Sequence, residues 1–174
     1  TLALAAGMTP PEIWVGLSEL HDSAWGRNQL LSLQNGARIL FDAYNANPDS
    51  MTAMMKNVFE MEVSGRKFLI VGDMKQQGEF AASAHQELGE RAGHTGFHGI
   101  WYVGEYAPDF EKGLQKSQVP EIFLKSADVT AELSAQFLSL LQNQDLVAIK
   151  GSRGMELERV LNGWPLATPL GKKP

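Results

Sequence analysis

The chain has 174 residues, 44% of them apolar and 20% charged, which is the composition of one soluble globular domain or of one domain with a remnant of another. Its formal net charge of -5 argues against nucleic acid as the main partner, because phosphate backbones select basic surfaces. The chain has no cysteine, which excludes a disulfide framework and thiolate-bound metal.

The four histidines, His21, His85, His94 and His98, fall into no metal-binding spacing. Residues 1–7 are apolar but far too few to span a bilayer, and they lack the basic start of a signal peptide. No basic run supports membrane insertion or membrane-surface binding, and a cytoplasmic location is expected. The chain begins without Met, inside an apolar helical pattern of Leu2, Leu4, Ala5 and Ala6, and ends in the polar Gly171-Lys172-Lys173-Pro174. A piece of a longer protein is the expectation.

Thr9-Pro10-Pro11-Glu12 reads as a helix start, since Thr caps, Pro suits the first turn and Glu favours the positive helix end. Ile13, Val15, Leu17 and Leu20 give that helix an apolar side, and a loop follows over residues 21–27. Residues 29–34 alternate, Asn35-Gly36 follows, and residues 37–41 are apolar except for Arg38. Asn-Gly between two such runs predicts a β-hairpin, with Ile39, Leu40 and Phe41 in its second strand.

From Asp42 onward, strands and helices alternate. Met51, Met54, Met55, Val58 and Phe59 recur at helical spacing and predict a helix over residues 48–62. A strand over 67–71 ends in Gly72-Asp73. Helices are expected over 79–92, 109–116, 128–142 and 154–161, and strands over 100–103, 121–124 and 146–149. The unbroken apolar runs Phe68-Leu69-Ile70-Val71 and Leu146-Val147-Ala148-Ile149 fit strands buried on both faces. The chain is therefore expected to form an α/β, Rossmann-like, mostly parallel sheet with helices on both faces, from about residue 37 to 170.

Ligands of such sheets collect at the carboxyl ends of the strands, and three polar stretches fall there. In Asp42-Ala43-Tyr44-Asn45-Ala46-Asn47-Pro48-Asp49 a carboxylate and two carboxamides crowd one strand–helix turn, although the residues alone favour a plain capped turn. Asp73 after Gly72 suits either a ligand edge or a turn cap. Lys150-Gly151-Ser152-Arg153 offers two cations at an expected helix start, an anion-binding arrangement. The rival is surface pairing of Arg153 with Glu156 or Glu158. No GxxxxGK[ST] phosphate loop occurs in the chain. His85 reads as an ordinary helical histidine, the methionines as core, and Trp14, Trp25, Trp101 and Trp164 as packing.

Taken together, these stretches resemble the Mur ligases, and among them the branch that adds D-alanyl-D-alanine. Residues 42–51 follow its D-x-Y-N-A-N-P-x-S-M pattern. Gly72-Asp73-Met74 with Gly78 and His85 follows its G-D-M…G…H segment, and Lys150-Gly151-Ser152-Arg153 with Met155 and Glu158 its K-G-S-R-x-M-x-x-E segment. Gly26-Arg27 stands where the family has G-R. The chain departs from the pattern at Gln29, Ala43, Gln76 and Gln77.

The resemblance implies the C-terminal domain of a three-domain ligase, with residues 1–35 the end of the central ATPase domain and its linker, and 36–174 the C-terminal domain. The N-terminal and central domains would be missing. The implied reaction joins D-alanyl-D-alanine to UDP-N-acetylmuramoyl-tripeptide in peptidoglycan synthesis, through an acyl phosphate made from ATP with magnesium. Arg27 and Asp42 would bind ATP, Asp42 through the ribose. Asn45, Asn47, Asp73, His85, Lys150, Ser152 and Arg153 would line the substrate cleft on the dipeptide side. No residue is assigned to catalysis or metal. Without its phosphate loop the piece alone is expected to be inactive. The alternatives are a non-catalytic small-anion module, a structural remnant, or the same domain of a sibling Mur ligase or of folylpolyglutamate synthase.

Overall fold

A computed structural model of the chain describes residues 25–167, with Gly7 and Thr9. The helix expected from Thr9 runs outside the described residues. Strands β1 (Gln29–Ser32) and β2 (Arg38–Asp42) open the domain. Helix α1 (Pro48–Glu60), β3 (Lys67–Gly72), α2 (Ala81–Thr95), β4 (Gly99–Val103), α3 (Ala107–Leu114), β5 (Ile122–Ser126), α4 (Ala131–Leu140) and β6 (Leu146–Lys150) follow. The six strands form one sheet in the order β1-β2-β6-β3-β4-β5. Only β1 and β2 pair antiparallel; every other neighbouring pair is parallel. This is the expected α/β architecture.

The sheet is covered on both sides. Met51, Met54, Met55 and Val58 of α1, Leu88 and Ala92 of α2 and Phe110 of α3 pack with Leu69, Val71, Ile100, Tyr102 and Ala148 on one face. Phe137 and Leu141, with Leu157 and Val160, pack with Ile39, Phe41, Phe68, Trp101, Val147 and Ile149 on the other. Strand side chains alternate between faces, so the centres of strands covered on both sides must be apolar, as residues 68–71 of β3 and 146–149 of β6 are. Helices α2 and α3 approach backbone to backbone. A Cβ on Gly89 would stand 2.0 Å from the Phe110 carbonyl oxygen, and one on Gly113 would stand 1.9 Å from that of Gln86. Among the described residues, no helix is long and apolar enough to cross a membrane.

The expected hairpin forms, and one local expectation is corrected. The hairpin closes through a longer turn than Asn-Gly alone. The Gly36 N–H donates to the Leu33 carbonyl at 3.0 Å and the Leu33 N–H to that of Ala37 at 2.8 Å, with Gly36 at φ +88°, a conformation glycine adopts without penalty. The helix expected over residues 154–161 is two short 3-10 turns, Arg153–Met155 and Leu157–Leu161, separated by Glu156 at φ 47°, ψ 42°. Packing is the reason. Leu157 seats its side chain against Gly72 and Gly151, where added Cβ atoms would lie 3.3 Å and 2.7 Å from it. The chain reverses at Glu156 to reach that seat.

Candidate functional site

The carboxyl ends of β2, β6 and β3 are adjacent, with Asp42 in register with Lys150 and Lys150 with Val71. The sheet thus gathers three stretches that lie far apart in the chain. Lys150 ends β6 with its side chain only 2% exposed. Its ammonium donates to Asp42 Oδ2 at 2.5 Å and to the Asn45 carbonyl at 3.0 Å. Asp42 Oδ1 accepts the backbone N–H of Asn28 at 3.3 Å. Lys150 is therefore engaged inside the domain rather than presented to solvent.

The asparagines take different roles. Asn47 caps α1: its Oδ1 accepts the Ser50 N–H at 2.8 Å, and Ser50 Oγ accepts the Asn47 N–H at 3.1 Å. This reciprocal box satisfies two donors of the helix start. Asn45 contributes its carbonyl to Lys150, and its side chain is exposed.

Asp73 is fully buried and closes the loop after β4. Its carboxylate accepts from the Tyr102 hydroxyl at 2.8 Å and from the backbone N–H groups of Glu105 at 3.1 Å and Tyr106 at 3.4 Å. The Lys75 ammonium donates to it at 3.3 Å. Burial, then the neighbouring negative charge of Asp73, pushes the Tyr102 hydroxyl well above its ordinary pKa. Gly104, at φ +137°, leaves room for this carboxylate, since a Cβ there would meet Asp73 Oδ1 at 2.1 Å.

His85 and Ser152 hold the same loop from two sides. His85 Nε2 accepts the Met74 N–H at 2.9 Å, so the ring proton sits on Nδ1, which donates to the Ala81 carbonyl at 2.6 Å. The ring is buried and stacks on Tyr106 at 4.4 Å. Ser152 Oγ accepts the Lys75 N–H at 2.9 Å, and the Ser152 N–H donates to the Asp73 carbonyl at 3.3 Å. In sequence His85 is an ordinary helical histidine and Ser152 a polar residue after a strand, and neither role is legible there.

Burial holds the His85 pKa below its ordinary 6.5, partly offset by the Ala81 hydrogen bond and by Asp73 and Asp109. Above that pH the ring is neutral in both folded and unfolded states. As pH falls through it, the unfolded chain takes up a proton that the folded chain refuses, and stability drops. The expected result is a loss approaching ~1.4 kcal/mol per pH unit below pH 6.5, continuing down to the lowered folded pKa. Urea unfolding of the wild type and His85→Gln between pH 7.5 and 5 measures it. Parallel pH curves for the two proteins would overturn the assignment.

A second cluster flanks the loops. The Arg27 guanidinium lies over the Tyr44 ring at 4.2 Å, and that of Arg153 stands 5.1 Å from Tyr44 and 5.2 Å from Trp25. Arg153 Nη1 is buried and has no hydrogen-bond partner among the described residues. A desolvated N–H without an acceptor is costly, and an anion would satisfy it. Gln29, where the motif has an acid, still accepts the Gly26 N–H at 2.8 Å. In sequence Tyr44 is one residue of a polar turn and Trp25 a packing residue. The combination of two arginines and two aromatics was not visible because residues 25, 27, 44 and 153 meet only in the fold.

Next to Asp73, a crevice of about 300 Å³ is lined by Lys75, Gly104, Glu105, Glu156 and Arg159. Among the described residues, no group of His, Asp or Glu is arranged to hold a metal.

Residues 26–153 match the family model described as Mur ligase, glutamate ligase domain. The UDP-N-acetylmuramoyl-tripeptide–D-alanyl-D-alanine ligases of Borreliella burgdorferi and Escherichia coli are each 32% identical over 161 residues, covering 92% of this chain. The chain spans 34%, about a third, of the length of these relatives. The crystal structure of MurF ligase from Thermotoga maritima in complex with ADP superposes with a TM-score of 0.74 at 28% identity, over 92% of this chain and 34% of that one.

Proposed function

The chain belongs to the Mur ligase family through its glutamate ligase domain, and from that membership we propose that it serves as the C-terminal domain of a cytoplasmic ligase joining D-alanyl-D-alanine to UDP-N-acetylmuramoyl-tripeptide. On this reading residues 36–174 are that domain, and residues 1–35 are the end of a central domain and its linker, the linker contributing β1 to the sheet. The observation that carries the reading is the gathering of the residue 42–49, 72–74 and 150–153 stretches at one sheet edge, with an arginine N–H there lacking an acceptor. The names of the relatives supply the reaction.

The residues fit a nucleotide. Each Asp42 oxygen already accepts one hydrogen bond and keeps a further lone pair, and the side chain is 15% exposed, enough for a ribose hydroxyl. Arg27 is exposed above Tyr44 and has the reach to meet phosphates. With no metal cluster among the described residues, magnesium would take its ligands from the nucleotide and from groups outside them. Bound ATP supplies the phosphoryl group that turns the tripeptide's terminal carboxylate into an acyl phosphate. The dipeptide amine then attacks that carbonyl, phosphate leaves, and an amide forms.

The chain's own work is orientation and charge. Asp42 and Arg27 hold the nucleotide. Ser152 and His85, by fixing the residue 73–75 loop, shape the wall of the crevice that receives the dipeptide. Arg153, half-buried beside this loop, offers its guanidinium charge to the dipeptide carboxylate. The test is phosphate release by the complete ligase carrying this domain, with ATP, magnesium and UDP-tripeptide, as D-alanyl-D-alanine is added. Release that depends on the dipeptide is expected. Release driven by a single amino acid such as D-glutamate, with none for the dipeptide, would overturn the reading in favour of a sibling ligase.

A further inference from the structure

We propose that Lys150 touches neither substrate but is a positioning residue, setting the Arg27 turn through Asp42; the inference rests on the ligase reading above. The connection is a chain of polar contacts. Lys150 Nζ binds Asp42 Oδ2 and the Asn45 carbonyl, the other Asp42 oxygen binds the Asn28 N–H, and Asn28 directly follows Arg27. The turn itself is unusual backbone, with Gly26 at φ 71° and Asn28 at φ 46°. Asparagine enters this left-handed region more readily than most residues, and here several contacts fix the turn in it. Its holding contacts are the Asp42 carboxylate, the Tyr44 N–H donated to the Gly26 carbonyl at 2.9 Å, and the Gln29 side chain.

Burial is the second part of the argument. With its side chain 2% exposed and two of its three donors on Asp42 and Asn45, Lys150 has no free face toward a ligand. A buried lysine–carboxylate pair is a poor source of net stability, because desolvation offsets the attraction. What it does well is fix direction. Asp42 is held at the end of β2 by an ammonium from the neighbouring strand, so one carboxylate orients both a ribose contact and the backbone that carries Arg27. The loop after β6 and the nucleotide-side turn are thereby joined through a single ion pair.

The test uses the complete ligase with Lys150→Met and Asp42→Asn, singly and together, and Lys150→Gln where methionine does not fold. Lys150→Met is expected to raise KM for ATP about tenfold or more, while KM for the dipeptide stays within about twofold. In the Asp42→Asn background it should add little, because both changes cut the same chain of contacts. A raised dipeptide KM with unchanged ATP KM would overturn the proposal, as would a lowered melting temperature with both constants unchanged. In parallel, amide resonances of this chain are compared with and without Lys150→Met. The Asn28 and Gly26 amides should move, and those of Met74 and Lys75, held by His85 and Ser152, should not. An unmoved Asn28 amide overturns the proposal. If the wild-type ligase does not use ATP and the dipeptide, the ligase reading fails by itself, and the amide comparison still decides the role of Lys150.

Discussion

Asp73→Ala is expected to lower the stability of the domain by about 3–5 kcal/mol, the scale on which one partner is removed from a buried charged network. The wild-type carboxylate is fully buried and accepts four hydrogen bonds. Its loss to Lys75 matters least, because the Lys75 side chain is 46% exposed and its ammonium returns to water. The cost falls on the Tyr102 hydroxyl and the N–H groups of Glu105 and Tyr106, which would lose their acceptor together. Each donor left unsatisfied costs about 1–3 kcal/mol, and the three are not additive. Asp73→Asn keeps the shape and one acceptor but turns an amide toward a backbone donor, so an intermediate loss is expected. Against a total stability of about 5–15 kcal/mol, the alanine variant should shift the urea midpoint strongly. A loss under about 1 kcal/mol would mean that water replaces the carboxylate, and that the loop is not held by Asp73.

What the sequence made legible follows from how local each signal is. The runs at residues 68–71 and 146–149 read correctly as central strands because burial on both faces forces every position to be apolar. The α1 face was visible in Met51, Met54, Met55 and Val58, and Asn47 before Pro48 marked the cap that the structure forms. The final helix does not form because Leu157 packs on Gly72, about 85 positions away, as well as on nearby Gly151, and this packing outweighs local propensity. The same distance hid the purpose of the polar residues. Lys150 and Asp42, separated by 108 positions, look in sequence like unconnected polar groups, and the sheet register makes them partners. Gly89 and Gly113 signalled close helix packing only in retrospect, since a helical glycine does not say what it faces.

Arg153 is expected to be the residue of its loop that most affects use of the dipeptide. Lys150 is committed to Asp42 and Asn45, which leaves Arg153 as the cation of the Lys150-Gly151-Ser152-Arg153 stretch still able to meet a carboxylate. Its guanidinium rests against Trp25 and Tyr44 with Nη1 buried and unmatched. A planar guanidinium can lie against two rings and still present a fork of donors along its edge, and lysine reproduces the charge without the plane or the fork. Arg153→Lys in the complete ligase should therefore raise KM for D-alanyl-D-alanine about tenfold to a hundredfold, the worth of a charge-assisted hydrogen bond. KM for ATP should stay within about twofold, because Arg27 and Asp42 carry that contact in the proposed mechanism. If Arg153 only packs, the variant loses about 0.5–2 kcal/mol of cation–π stability and keeps its kinetics. If KM for ATP rises instead, Arg153 belongs with Arg27 on the phosphates, since both guanidiniums share the Tyr44 ring. Dipeptide and ATP titrations of the one variant, run with its melting curve, separate the three, and the dipeptide role survives only if the dipeptide constant alone moves.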